Sequence, residues 1–215
     1  RMFTHLALSG GGIKGVYTLG ALKYLEEIKQ LENIKYILGT SIGSIIASFL
    51  CIVDVDTIVK NIEKLNNLDF NNVDMKLFFN EYGVLTKKIS IQNIEKLFTH
   101  FLGINPTFKD MYEISNKTLI ISSFNLNDHK LEYFNHETHP DMFISKAISL
   151  SINIPLIFEK EIYNDKTYID AGIIDNLSWS YFNNVSNECK LGILLKEFPN
   201  FYEDNYDTLF KYGMS

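Results

Sequence analysis

A pentapeptide of the form G-x-S-x-G, Gly39-Thr40-Ser41-Ile42-Gly43, sits between two apolar runs, Ile34 to Leu38 and Ile42 to Val53. A short β-prone run, a glycine-flanked turn and a long apolar run read as strand, sharp turn and helix. A serine at such a turn is held in a conformation that flanking glycines permit. Its hydroxyl projects from the top of a sheet and faces the N-terminus of the next helix. Residue type and place both suit a nucleophile. The segment upstream has the same shape: Leu6-Ala7-Leu8 is a strand, Gly10-Gly11-Gly12-Ile13-Lys14-Gly15 a glycine-rich loop, and Leu19, Leu22, Leu25 and Ile28 mark an amphipathic helix.

Consecutive glycines between a strand and a helix leave backbone N–H groups able to converge on one negative centre, with the positive end of the helix dipole behind them. An acyl-transfer serine needs such donors where a carbonyl oxygen becomes an oxyanion. Two phosphate-binding readings compete for this loop. Gly10-x-Gly12-x-x-Gly15 fits a dinucleotide fingerprint, but the next strand ends in Leu38-Gly39 where that fold wants an acid for the ribose. A P-loop requires Lys and then Ser or Thr, and Gly15 is followed by Val16-Tyr17. The plainest alternative is a turn that only lets helix and strand pack closely.

Downstream, Lys166 to Asn176 places Asp170 at the end of a β-prone run, with Gly172 allowing the chain to turn. The five histidines, His5, His100, His129, His136 and His139, all precede it, so the usual Ser…Asp…His order of an α/β-hydrolase triad is excluded. A Ser–Asp pair would use the carboxylate alone to accept the serine proton. A carboxylate is a weak base in water, so such a pair requires a poorly solvated pocket. Asp175 is the fallback base.

These three elements together resemble the patatin-like phospholipases, lipid acyl hydrolases with a Ser–Asp dyad. The family's G-G-G-x-[KR]-G loop matches Gly10 through Gly15, Lys14 included, and its G-x-S-x-G motif matches Gly39 through Gly43. Its D-G-[GA] motif is met in part by Asp170-Ala171-Gly172, with Ala171 in place of the first glycine. Ala147 to Phe158 resembles the family's small-residue helix ending in a proline and an aromatic. The resemblance covers about Thr4 to Leu195. It implies an α/β fold, a three-layer α/β/α sandwich with a largely parallel central sheet. It also implies Ser41 as nucleophile, Asp170 as base, and oxyanion binding by the Gly11, Gly12 and Ile42 amides, with Gly10 in the same loop. No metal or organic cofactor is implied, and the expected partner is a phospholipid or other acyl lipid met by transient contact with a membrane surface.

At 215 residues and 46% hydrophobic, the chain suits one domain with a substantial core, so residues 1–215 are expected to form a single patatin-like unit. The net charge of −6 disfavours nucleic acid as partner. Cys51 and Cys189 read as free thiols of a reducing compartment. The strand and glycine loop begin at once, which fails the logic of a signal peptide, and Ile42 to Val53 is too short to span a bilayer, so the expected location is cytoplasmic or peripheral to a membrane.

Several features lie outside the motifs. Ile91, Ile94, Leu97, Phe98, Phe101 and Leu102 form a helical stripe that reads as core packing, with a lid as the alternative. Phe78-Phe79 with Tyr82-Gly83 is expected to wall an acyl pocket or touch lipid. His136-Glu137-Thr138-His139 has a metal-like spacing but precedes Pro140 and reads as an exposed loop. Lys87-Lys88 reads as a solvated turn. Trp179 and Tyr181 either line the acyl site or pack. Tyr202 to Met214 reads as an amphipathic helix that stops without a terminator, as in a truncated chain whose missing tail carries targeting or regulation. The function expected is phospholipase A-type hydrolysis; the alternatives are a catalytically weak or inactive lipid-binding protein and a soluble carboxylesterase or acyltransferase.

Overall fold

The computed structural model describes residues 2–65 and 83–196. The expectations placed on Phe78, Phe79, Tyr82 and residues 202–214 lie outside the described residues. The chain opens with β1 (His5–Leu8), α1 (Gly15–Glu27), β2 (Tyr36–Thr40), α2 (Ile42–Leu50) and α3 (Val55–Leu65). After β3 (Gly83–Leu85) come α4 (Lys88–Leu102), α5 (Phe108–Ser115), β4 (Thr118–Asn125), β5 (Lys130–Phe134) and α6 (Ile144–Ser151). The described part closes with β6 (Leu156–Phe158), β7 (Glu161–Tyr163), β8 (Lys166–Ile169) and β9 (Lys190–Ile193).

Seven of these strands form one sheet in the order β7-β8-β4-β2-β1-β9, with β5 also paired to β4. The βα rhythm of the first 50 residues produces its parallel half: β9, β1, β2 and β4 run the same way, with Leu6 opposite Ile37 and Leu38 opposite Ile120. β5 and β8 join β4 antiparallel, and β7 joins β8 antiparallel. The sheet is therefore mixed, parallel where it leads into Ser41 and antiparallel on the flank that ends in Asp170. β3 and β6 form a separate parallel pair.

Alternation along each central strand divides its side chains between two faces. Leu6, Leu8, Ile37, Leu119 and Ile121 enter the larger core with α1 to α6, while Ala7, Leu38 and Ile120 pack with Phe182, Leu177 and Trp179. Among the described residues the third layer is thus thin, a short 3-10 segment Trp179–Phe182. α2 is apolar all round because it is enclosed, with every residue from Gly43 to Leu50 buried. Among the described residues no helix is long and apolar enough to cross a membrane. The stripe on α4 packs inward, with Phe98 stacked on Phe49 of α2 at 4.7 Å. Cys51 is enclosed under α2, and burial pushes its thiol pKa up to about 12, so it stays protonated and inert.

Candidate active site

Ser41 occupies the turn between β2 and α2 with φ 54 and ψ −127, a left-handed conformation that non-glycine residues rarely adopt. The turn exists because its flanks approach other backbone closely. A Cβ on Gly39 would lie 2.3 Å from the Gly43 carbonyl oxygen, and one on Gly43 would lie 2.5 Å from that of Leu8. The strain is held by hydrogen bonds: the Ser41 amide donates to Ser151 Oγ on α6 at 2.9 Å, and the Ser41 carbonyl accepts from the Ser44 amide at 2.8 Å and its hydroxyl at 2.6 Å. Ser41 itself is only 7% exposed.

The glycine loop lies directly against this turn. A Cβ on Gly10 would stand 2.9 Å from Ser41 Cβ, which leaves room for hydrogen alone. The Gly10 amide donates to the Asn176 carbonyl at 3.2 Å, and Asn176 Nδ2 returns a bond to the Gly10 carbonyl at 3.2 Å. Gly10 therefore joins its loop to the segment after Asp170, and its N–H is directed to the Asn176 carbonyl. The Gly11, Gly12 and Ile42 amides donate to no backbone carbonyl among the described residues, and α2 has no side-chain cap. Uncapped amides at a helix start carry partial positive charge and favour an anion. Lys14 ends the short 3-10 turn that leads into α1, and Gly15 opens that helix.

Asp170 follows β8 directly and is 4% exposed. Its carboxylate accepts the Gly172 amide at 2.7 Å and interacts with the Ser41 hydroxyl. Burial pushes its pKa above the ordinary carboxylate range, and these two hydrogen bonds pull against that rise. Ala171 is fully buried, starts a 3-10 turn and has no positive φ, so the position does not demand the glycine that the family pattern has there. Asp175 is occupied otherwise: its carboxylate accepts the Leu177 and Ser178 amides at 3.3 and 2.9 Å and shapes the next turn.

The remaining candidates resolve as packing. His136 stacks on Tyr112 with centroids 3.9 Å apart, and His139 meets Phe134 edge-on at 4.8 Å. Trp179 lies under the Lys190 ammonium at 4.8 Å on the thin layer, and Tyr181 accepts from Asn135 at 3.2 Å. Lys87 departs most from its reading as a solvated turn. It is 2% exposed, donates to Asn153 Oδ1 at 2.6 Å, meets Glu161 at 3.1 Å and lies 5.4 Å from the Phe158 ring centroid. Ser151 and Asn153 were not singled out by sequence reasoning. Their signal was the small-residue run before Pro155, where a serine and an asparagine are out of place in an apolar helix end. A trough of about 380 Å³ is walled mainly by Leu126, Pro155, Leu156, Phe158 and Ile169, with Asn127, Asn153, Lys160 and Thr167 also on its lining.

A family model described as patatin-like phospholipase matches residues 6–182. A protein of invertebrate iridescent virus 6, named "Probable lipid hydrolase 463L", is 36% identical over 82% of this chain and 62% of its own. Triacylglycerol lipase 5 of Saccharomyces cerevisiae is 29% identical over 72% of this chain and 22% of its own. Among solved structures, VipD from Legionella pneumophila has the same fold, with a TM-score of 0.68 and 21% identity over 100% of this chain and 53% of that one. The chain thus spans about three fifths of the viral relative and half of VipD.

Proposed function

Since the chain belongs to the patatin-like phospholipase family, we propose that it hydrolyses fatty-acyl esters of phospholipids through Ser41 and Asp170. The observation that carries this reading is the pairing of a buried carboxylate with a serine on a strained turn, beside amides with no backbone acceptor. Ser41 Oγ attacks the ester carbonyl while Asp170 takes its proton. The carbonyl oxygen gains negative charge against the Gly11, Gly12 and Ile42 amides, where each preorganised donor typically contributes about 100- to 1000-fold in rate. Collapse expels the lysolipid alkoxide, which receives the proton from Asp170, and leaves an acyl-serine. Asp170 then takes a proton from water as it attacks, and Ser41 recovers that proton when the fatty acid departs.

A largely apolar trough whose wall includes Ile169, the residue before Asp170, supports an acyl chain as the bound group. Exposed apolar residues, Tyr17 in the first turn of α1, Ile174 shortly after Asp170 and Leu194 just after β9, at 70, 56 and 40% exposure, support transient contact with a lipid surface. The yeast relative's name favours a second reading, in which the ester belongs to a neutral glyceride. Fatty-acid release from phospholipid vesicles and from triacylglycerol emulsions, measured with EDTA present, separates the two. Ser41→Ala and Asp170→Asn are each expected to reduce release by at least 1000-fold. Persistence of either activity in both variants would overturn the dyad.

A further inference from the structure

Asp170 is held in place by a residue that belongs to neither of its neighbouring strands. The Asp170 amide donates to the Asn153 carbonyl at 2.9 Å, and Asn153 Nδ2 donates to the Tyr168 carbonyl at 2.9 Å. Asn153 therefore supplements a short β4–β8 ladder, limited to Phe124 opposite Ile169 and Asn125 opposite Tyr168, beside the bond that Ser123 Oγ of β4 donates to the Ile169 carbonyl at 2.9 Å. Of its two bonds to this segment, the one to Tyr168 comes from the side-chain amide, whose rotamer is fixed by what its own oxygen accepts. That oxygen is 2.6 Å from Lys87 Nζ.

Lys87 reaches both sides of this joint. Its ammonium meets Asn153 on the segment after α6 and Glu161 on β7, and Glu161 lies opposite Tyr168 in the β7–β8 ladder. Lys146 of α6 binds the other oxygen of Glu161. Burial lowers the Lys87 pKa, while Glu161 opposes the shift. Burial raises that of Glu161, and Lys87 and Lys146 outweigh it and leave it low. Lys87 and Glu161 lie 3.1 Å apart, and an ion pair so largely withdrawn from solvent is expensive to build for stability alone.

We propose that Lys87 is a positioning residue for the Ser41–Asp170 pair. It pins Asn153, and Asn153 sets the end of β8 so that the Asp170 carboxylate meets the Ser41 hydroxyl. The chain of contact runs from Lys87 Nζ to Asn153 Oδ1, and from the Asn153 main chain to the Asp170 amide. The inference rests on the proposed dyad for its catalytic consequence, while its structural half stands independently. Nothing in the mechanism requires Lys87 to touch substrate.

The test pairs Lys87→Met with Glu161→Gln in one variant, so that neither charge is left buried alone, and also uses Lys87→Met by itself. Turnover of a soluble p-nitrophenyl ester and amide hydrogen exchange are measured on the full chain. In the folded double variant, kcat is expected to fall about 10- to 100-fold with KM within twofold, and the Asp170 amide to exchange at least tenfold faster while amides of β1 and β2 keep their protection. Unchanged exchange at Asp170 overturns the proposal. So does faster exchange spread evenly over the sheet, since that is general destabilisation. An equal fall in kcat and rise in KM also counts against positioning. If the parent chain turns over no ester, the proposed function fails, and exchange at Asp170 still decides whether Lys87 holds it.

Discussion

Burial of the Asp170 carboxyl, opposed by hydrogen bonds from Ser41 and Gly172, leaves its pKa above the ordinary carboxylate value. The folded chain then holds that proton more tightly than the unfolded chain. Stability falls as pH rises from the ordinary value through the folded one, and the full cost is present above the folded pKa. Asp170→Asn is accordingly expected to raise Tm at pH 7, with the gain shrinking to nothing below the ordinary carboxylate pKa. Thermal unfolding of both proteins across that range checks it, and a gain that persists at pH 3 would trace the stabilisation to something other than charge. The same carboxylate must be ionised to act as a base, so the acidic limb of kcat/KM is expected above the usual carboxylate range. Ser41 and Asp170 were legible in the sequence because each sits in a local pattern of strand, turn and glycine. Lys87 was not, because its burial is made by Asn153, Phe158 and Glu161, which lie 66 to 74 residues further on. The bond from the Gly10 amide to Asn176 was hidden for the same reason, since the two lie 166 residues apart.

At the scale of elements, α2 is the member on which the others depend, because it carries Ser41 at its start and packs along its whole length. Its contact with α4 rests on the stack of Phe49 and Phe98, the latter fully buried. Phe98→Ala is expected to cost about 3–5 kcal/mol, which for a domain of this size lowers Tm by roughly 6–20 °C. Differential scanning calorimetry measures this; a loss under about 1 kcal/mol would mean that α4 covers the core loosely, as a lid does. The helical period of α4 and the βα rhythm of β1 and β2 were both visible in sequence. The antiparallel flank was not. Lys130–Phe134 and Lys166–Ile169 are short β-prone runs, and alternation tells which face a side chain takes but not which way its strand runs. The thin third layer was equally hidden, since the Trp179–Phe182 turn has too few residues to show a period.

For the whole molecule, a charge of −6 bears on how the proposed approach to a lipid surface would be made. Electrostatic attraction to an anionic membrane is weak for such a chain, so the proposed contact would rest on exposed apolar side chains such as Tyr17 and Ile174. Burial of two such side chains is worth about 3–6 kcal/mol at most. Tyr17→Asp combined with Ile174→Asp is expected to cut turnover of vesicle phospholipid at least tenfold while a soluble ester is hydrolysed within twofold of the parent. Equal loss on both substrates would place these residues in the catalytic pocket rather than at the membrane.

The sheet order places Ser41 on an inner strand laid down early, whereas its partner comes from a late strand on the far side of β4. Some 130 residues of chain separate the two, which takes about 6 to 26 s to synthesise at roughly 5–20 residues per second. β9, whose neighbour Leu195 donates to Ser9 and latches the glycine loop, emerges later still. A nascent chain therefore presents Ser41 well before Asp170 can reach it, and on the proposed mechanism the pair is assembled only once β8 has been made and has docked beside β4.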